Sequence, residues 1–419
     1  MDILFLHQNF PGQFRHIAQA LLDQPGNRLV ALAQPQARSM EGVQTIRYKP
    51  KRDAHKATHR YLVSFERAVL VGQEVVRKLV ELKQHGFNPR FIIAHPGWGE
   101  SLYVKDVFPD ATLIHFCEFY YHADGADAGF DPASPVSLDD RARIRTRNAL
   151  HLLNLEQCDI AVAPTHWQQS LHPPLYQPKI RVIHEGVDTQ AARPDPDVRF
   201  TLPNGRVLSR SDQVITYVAR NLEPYRGFPQ FIRAMGRLLA ERPEVTVLIV
   251  GGDDVSYGSK PEGAANWREK MASEVPLNAD RVHFLGKLPY ADYLKVLQIS
   301  TVHTYLTYPF VLSWSMLEAL ACGCVLVGSA TAPVQEVLRH EVNGFLVDFF
   351  DDAALCRQIS VLLDAADLTP IRHAARATVL GNYSQADGTR GWLQLMGLNP
   401  APPTYSIGSG LVAGPAQVA

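Results

Sequence analysis

At 419 residues, 46% of them hydrophobic and 20% charged, the chain is longer than one ordinary core supports and globular in composition, so two domains are expected. A formal net charge of −1 argues against a general nucleic-acid binder, which carries a basic excess. Five scattered cysteines (Cys117, Cys158, Cys322, Cys324 and Cys356) form no CxxC pair or His/Cys metal spacing, which points to reduced thiols in a cytosolic protein. No signal-peptide pattern and no run of about 18 apolar residues is read, so a cytoplasmic location is expected.

Strand-like runs then alternate with helical ones. The strands are expected at 3–7 (ILFLH), 28–33, 91–95, 112–117 and 159–164, with helices at 13–23, about 58–85, 100–107 and 138–155. A second series of strands is expected at 214–219, 245–250, 281–286, 300–305 and 324–329, with helices at about 228–241, 264–274, 289–298 and 313–321. Strict alternation of this kind predicts a parallel sheet with helices on both faces, twice over. The predicted fold class is therefore α/β, with two doubly wound Rossmann-like domains at 1–183 and 214–398. Residues 184–213, with three prolines and no long apolar pattern, read as a linker. A last helix is expected at about 385–397, free to pack back on the first domain, and 399–419 reads as a disordered tail.

In open α/β sheets ligands bind off the carboxyl ends of the strands, so the residues just after each strand are the candidates. After the first strand comes His7-Gln8-Asn9-Phe10-Pro11-Gly12-Gln13, where Gly12 would let backbone approach a phosphate at a helix start; a plain strand-to-helix turn reads much the same. After the third comes His95-Pro96-Gly97-Trp98-Gly99-Glu100. Trp98 between two glycines suits a cleft better than a core, and Glu100 could equally favour a first helical turn. After the fourth come Glu118 and, two residues on, Tyr120-Tyr121-His122. A carboxylate beside proton carriers suits work at a hydroxyl or a leaving group, and a structural acid beside aromatics is the bland alternative.

In the second half, Arg220 and Arg226 flank a turn after a strand. Arginines there should face water or an anion, and their forked donors grip phosphate oxygens. The strongest signal is the run from Pro309 to Gly323. Its loop leads into an apolar helix, and the amides of Leu312, Ser313 and Trp314 would point at an anion. Glu318, a carboxylate within that helix, needs partners that ribose hydroxyls could supply. Gly323 ends the helix, and Cys322 and Cys324 read as small buried residues rather than a redox pair.

These segments resemble, in order and along nearly the whole chain, a retaining glycosyltransferase of family 4 with the GT-B fold. VARNLEPYRG is similar to the family's GR…KG stretch, whose two cations hold the donor diphosphate, with Arg226 where lysine is usual. FLGKLPY is similar to the turn that meets the nucleobase, which puts Leu288 near the base. LEALACGCVLVGS is similar to the following helix and strand, with Glu318 at the ribose-binding glutamate, and VQEVLRHEVNGFLVD to the segment after it. HQNFPGQFRH, AHPGWGE and EFYYHADGADAGFDP resemble a bacterial subgroup.

The resemblance implies two domains facing each other across a cleft and a nucleotide-sugar donor of UDP or GDP type. It implies a sugar, lipid-linked or small-molecule acceptor and no separate cofactor or metal. Retention would follow from attack on the face the diphosphate leaves, with domain closure excluding water. Donor contacts would come from Gly12, Gln13, Leu288, Leu312, Ser313, Trp314 and Glu318, and acceptor or cleft contacts from His95, Trp98, Glu100, His115 and His122. Catalysis would fall to Glu118, Arg220 and Arg226. Two positions depart from the pattern. Phe310 stands where the first of two paired glutamates helps hold the transferred sugar, and the usual histidine falls near Cys117, leaving His115, Glu118 or His122 to replace it, with Glu118 favoured.

Two other readings compete: a sugar-nucleotide 2-epimerase on the same fold, and a non-catalytic nucleotide-sugar binder suggested by Phe310. The cations between Lys49 and Lys83 could rest on anionic lipid, but Glu66, Glu74 and Glu81 interrupt them as on a solvated helix face. Asp253-Asp254 is not a DxD metal motif.

Overall fold

The computed structural model describes residues 1–399, which fall into two compact units. The first comprises Met1–Gly186 and a C-terminal helix; the second is Val187–Ser384.

The first unit runs β1 (Asp2–Leu6), α1 (Arg15–Leu22), β2 (Arg28–Ala33), β3 (Gln44–Arg47), α2 (Val63–Gln84), β4 (Pro89–Ala94), α3 (Val104–Val107), β5 (Thr112–Phe116), α4 (Leu138–Gln157), β6 (Ile160–Ala163), α5 (His166–Ser170) and β7 (Ile180–Val182). Its seven strands lie in the order β3-β2-β1-β4-β5-β6-β7, every pair parallel. Helices cover both faces, so β1, β2 and β4 are apolar on both sides and read as continuous runs. The order reverses between β1 and β4, and the loops carrying His7 and His95 therefore leave the sheet side by side. α4 begins with a capping box, Ser137 accepting from the Asp140 amide while Asp140 reaches back to the Ser137 amide.

The second unit opens with a short antiparallel pair, β8 (Phe200–Thr201) and β9 (Val207–Leu208). It continues β10 (Val214–Asn221), α6 (Phe228–Glu241), β11 (Thr246–Gly252), α7 (Trp267–Glu274), β12 (Val282–Gly286), α8 (Tyr290–Gln298), β13 (Val302–Tyr305), α9 (Trp314–Ala321), β14 (Val325–Ser329), α10 (Ala332–Gln335), β15 (Phe345–Val347), α11 (Asp352–Leu363) and α12 (Thr369–Asn382). The parallel order β12-β11-β10-β13-β14-β15 has its switch point between β10 and β13. α6 shows why these helices form: Phe228, Phe231, Ile232, Met235 and Leu238 bury one stripe at helical spacing.

Helix α13 (Gln385–Leu395) returns the chain to the first unit. Trp392, Leu393 and Met396 are buried among Phe5, Phe14 and Ile17, with the Trp392 and Phe14 rings 6.4 Å apart.

Several expectations need correcting. Residues 187–208 are no linker: Val187, Ala192, Val198, Phe200, Leu202 and Leu208 are buried in the second core. Prolines break their spacing, so these anchors show no period in the sequence. The helix expected at 100–107 shrinks to Val104–Val107 because the chain is still turning at Gly99, whose φ is +105°. β3, β7 and β15 are too short, at three or four residues, to show a period. Of the tail expected from 399 onward, Asn399 alone is described; the rest lies outside the described residues.

No helix among the described residues is long and apolar enough to cross a membrane. The cations along and before α2 are largely paired: Arg52 with Glu66, Arg67 with Asp53, Arg77 with Glu74 and Lys78 with Glu81. All five cysteines are free thiols and buried, and burial pushes the Cys324 thiol up to about 12, so Cys322-Gly-Cys324 is a packing feature.

Candidate functional site

At the first unit's switch point, two histidines, an amide and a carboxylate form one hydrogen-bonded chain. Backbone amides fix both rings: the Asn9 amide donates to His7 Nδ1 at 2.9 Å and the Gly97 amide to His95 Nδ1 at 3.1 Å. Each Nε2 therefore carries the proton. His7 Nε2 donates to Gln13 Oε1 at 2.9 Å, and Gln13 Nε2 donates to Glu118 Oε1 at 2.9 Å. His95 Nε2 donates to Glu118 Oε2 at 3.3 Å. Burial, with His95 nearby, pushes His7 down to about 3, so its ring stays neutral. Burial works against the Glu118 charge too, but the bonds from His95 and Gln13 outweigh it and hold its carboxyl below the ordinary value. The Glu118 side chain keeps 27% of its surface open against 7% for His95.

Gly12 serves this chain by closeness. Its φ is +46°, and a Cβ there would lie 2.8 Å from the His7 ring. Gly12→Ala is expected to lower stability by about 1–3 kcal/mol, read as a drop in melting temperature, and to disturb the Gln13–Glu118 contact.

The chain opens on a cavity of about 450 Å³. His95, Trp98 and Glu118 line it, as the sequence suggests, joined by Gln8, Phe65 and Arg147, which it does not single out. Trp98 stacks on His95 with centroids 4.1 Å apart and planes at 17°. Three residues expected on the acceptor side lie off this cavity. Glu100 is fully buried, takes a 2.5 Å hydrogen bond from the Tyr48 hydroxyl, and has its pKa raised by burial. His115 is fully buried, and burial pushes its pKa down to about 3. His122 Nε2 is tied to the Leu171 carbonyl at 2.6 Å. None of the three lines the cavity.

In the second unit the arginines part company: Arg220 is exposed at the end of β10, whereas Arg226 is 5% exposed. Gly227, at φ +67°, lets the Arg226 turn lie against Leu306, which a Cβ would meet at 2.4 Å. Tyr217 donates to the Arg226 carbonyl at 2.8 Å. Arg226 Nη1 reaches Tyr305 Oη at 3.1 Å, Thr307 Oγ1 at 2.8 Å and the Val311 carbonyl at 3.1 Å. Its guanidinium lies 5.4 Å from the centre of the Tyr257 ring. Buried Glu223 holds that ring's loop by accepting from the amides of Ser256, Tyr257 and Gly258 at 3.2, 3.1 and 3.0 Å. No carboxylate comes within ion-pair distance of Arg226 among the described residues, so a buried cation sits among neutral partners.

Glu318 is 9% exposed, with its pKa raised by burial, and both oxygens are engaged: Tyr290 donates to Oε1 at 2.8 Å and Tyr293 to Oε2 at 2.6 Å. The sequence shows the acid but not these phenols. Leu288 packs against the same core, Leu312 and Ser313 are buried and Trp314 is partly so. The Ser313 amide, expected to face an anion, donates to Tyr305 Oη at 2.8 Å. Phe310 joins an aromatic cluster, 5.0 Å from Tyr257 and 5.7 Å from Tyr225, with Tyr225 stacked on Tyr308 at 4.6 Å. Asp253 and Asp254 face Arg268 and Lys287. Among the described residues no three His, Cys, Asp or Glu side chains gather as a metal-ligand set.

Residues 25–192 match the family profile described as "Glycosyl transferase family 4 group", and residues 204–377 match "Glycosyl transferases group 1". The chain belongs to glycosyltransferase family 4. Part of this family-4 chain is 31% identical over 209 residues to a D-inositol 3-phosphate glycosyltransferase of Streptomyces coelicolor, covering 46% of this chain and 44% of that one. A relative of the same name from Mycobacterium marinum is 28% identical, over 41% of this chain and 34% of its own length. The match thus spans less than half of these curated relatives. Among solved structures, sucrose-phosphate synthase of Thermosynechococcus elongatus superposes with a TM-score of 0.71 at 20% identity, covering 94% of this chain and 98% of that one. Anabaena HepE, solved with UDP and glucose, gives 0.65 at 16%, covering 95% and 99%. At these identities the likeness speaks for the fold, which is GT-B.

Proposed function

We propose that this chain moves a sugar from a nucleoside-diphosphate sugar to a hydroxyl acceptor, with retention at the anomeric carbon, in polysaccharide, glycolipid or glycoconjugate synthesis. The observation that carries the reading is Arg226, a buried guanidinium without a carboxylate at the carboxyl end of β10. Leaving a cation there costs several kcal/mol unless an anion completes the site, and a departing diphosphate supplies one. Arg220 would add a second, exposed charge. The bond from the anomeric carbon to the diphosphate oxygen breaks as the bond to the acceptor oxygen forms on the same face, and the acceptor proton passes to a donor phosphate oxygen. Glu118 accepts a hydrogen bond from the acceptor hydroxyl and orients it. The reaction needs no separate cofactor or metal ion in this reading, with Asp253 and Asp254 engaged by cations.

UDP is the first nucleotide to try, because the Anabaena neighbour was solved with UDP and with UDP-glucose. The aromatic cluster around Phe310, in place of a carboxylate, favours a donor sugar with an apolar, deoxygenated edge. Peripheral membrane contact gains little from α2, whose cations are mostly paired.

The test is a thermal-shift panel of UDP, GDP, ADP and dTDP with their sugars, on the wild-type chain and Glu318→Ala. One nucleotide should stabilise the wild type, by about 2.7 kcal/mol at a hundred times its Kd, and Glu318→Ala should abolish the shift. Silence from every nucleotide sinks the transferase reading. Binding without turnover in any acceptor mixture would favour a non-catalytic binder, and acceptor-free interconversion of the donor sugar a 2-epimerase.

A further inference from the structure

The charges around the first unit's cavity do not balance evenly. Arg52 Nη1 lies 2.7 Å from Glu66, and Arg67 makes two bonds to Asp53 at 2.6 and 2.9 Å, so both are neutralised in place. Glu118 is held by Gln13 and His95. Arg147, from α4, is the exception: no carboxylate stands within ion-pair distance of it among the described residues. Its guanidinium lies 3.6 Å above the Tyr121 ring, and one nitrogen donates to the Tyr121 hydroxyl at 2.6 Å. Tyr121 is itself fixed, its amide donating to Asn148 Oδ1 at 3.2 Å and its carbonyl accepting from Asn148 Nδ2 at 2.7 Å. A stacked guanidinium has lost its rotational freedom and keeps its remaining N–H donors for a ligand.

The lining of the cavity therefore combines three different chemistries. Arg147 offers forked donors to an anion, Glu118 offers acceptor oxygens to a hydroxyl, and Trp98, held flat on His95, offers a face for a sugar ring. About 450 Å³ is in the range of small-molecule sites.

We propose that this cavity takes an acceptor sugar bearing an anionic group, phosphate or carboxylate, with the anion on Arg147, the ring against Trp98 and the reacting hydroxyl at Glu118. The inference rests on reading the cavity as the acceptor site of the proposed transferase. Charge sets the orientation: Arg147 attracts an anion and Glu118 repels one.

Calorimetric titration of the full chain, without donor, with glucose 6-phosphate, glucuronate and glucose tests this. Wild type should bind at least one anionic sugar about tenfold or more tightly than glucose, the excess falling as salt is raised. Arg147→Gln should erase that excess, with an unchanged far-UV spectrum, and Arg147→Lys should restore part of it. A gain with glucose 6-phosphate alone assigns the anion as phosphate, and with glucuronate alone as carboxylate. Equal binding of glucose, an excess that survives Arg147→Gln, or no binding of any of the three overturns the proposal. A UDP-induced thermal shift in the same preparation separates the two readings: a shift without the anionic preference overturns this inference alone, and the preference without a shift overturns the donor reading alone.

Discussion

Arg226→Met is expected to abolish the thermal shift produced by a nucleoside diphosphate and to cut kcat/KM by about 10²–10³-fold or more, while leaving the melting temperature of the free protein close to wild type. The two halves of that result have separate causes. Losing the only buried guanidinium at the β10 turn removes the donors that would meet departing negative charge, and one such contact in a dry site is worth roughly 10²–10³ in rate. Stability changes little because the terms oppose each other. Three hydrogen bonds to Tyr305, Thr307 and Val311 disappear, but so does the cost of burying a cation with no carboxylate beside it. A circular-dichroism melt and a UDP titration on one sample check both. A collapse of the free protein would mean that Arg226 is structural; retained UDP binding would mean that the diphosphate lies elsewhere.

Glu118→Gln is the second large effect, a fall in kcat of about 10²–10⁴-fold with the nucleotide-induced shift retained. Both Glu118 oxygens accept, from Gln13 and from His95. An amide would turn a donor toward one of those donors, so it loses the charge and one of the two bonds. The pH profile follows from the lowered carboxyl. Burial alone would raise it, but His95 and Gln13 prevail, so the working ionised form persists below the ordinary carboxylate range of about 4. Activity that depends on Glu118 should therefore be flat from about pH 7 down to about pH 5. The stability this group contributes is present above its unfolded value and lost as pH falls through the depressed folded value. An acid limb near pH 6 would mean that another group governs turnover.

Much of this was open to inspection in the sequence because central parallel strands are buried on both faces and appear as unbroken apolar runs. ILFLH, FIIAH and VTVLIV are of that kind, and their ends point directly to His7, His95 and the loop beyond β11. Short edge strands such as QTIR and FLV escape because three or four half-buried residues carry no period. α11, by contrast, buries Leu355, Cys356, Ile359, Leu362 and Leu363 at helical spacing, a signal available to the same reasoning. Within the site the chemistry-bearing acids, Glu118 and Glu318, stand out because a carboxylate amid apolar residues needs partners. The partners do not stand out. Tyr290 and Tyr293 precede Glu318 by 28 and 25 residues, and Gln13 precedes Glu118 by 105. Arg147 is hidden among Arg141, Arg143 and Arg145. On the helix Arg141 and Arg145 share one face and Arg143 and Arg147 another, and only the position of Tyr121 picks one out.

The return of α13 to the first unit reverses the order in which synthesis can finish the two bodies. When residue 186 has been added, the first sheet is complete, but the apolar ground beside Phe14 and Ile17 has no Trp392 to cover it. At about 5–20 residues per second, the roughly 200 residues still to come take on the order of 10–40 s, during which the second unit can close around its own core. The unit translated first is therefore the last to be sealed. An N-terminal fragment ending at Gly186 keeps that apolar ground open permanently and is expected to aggregate rather than stand alone.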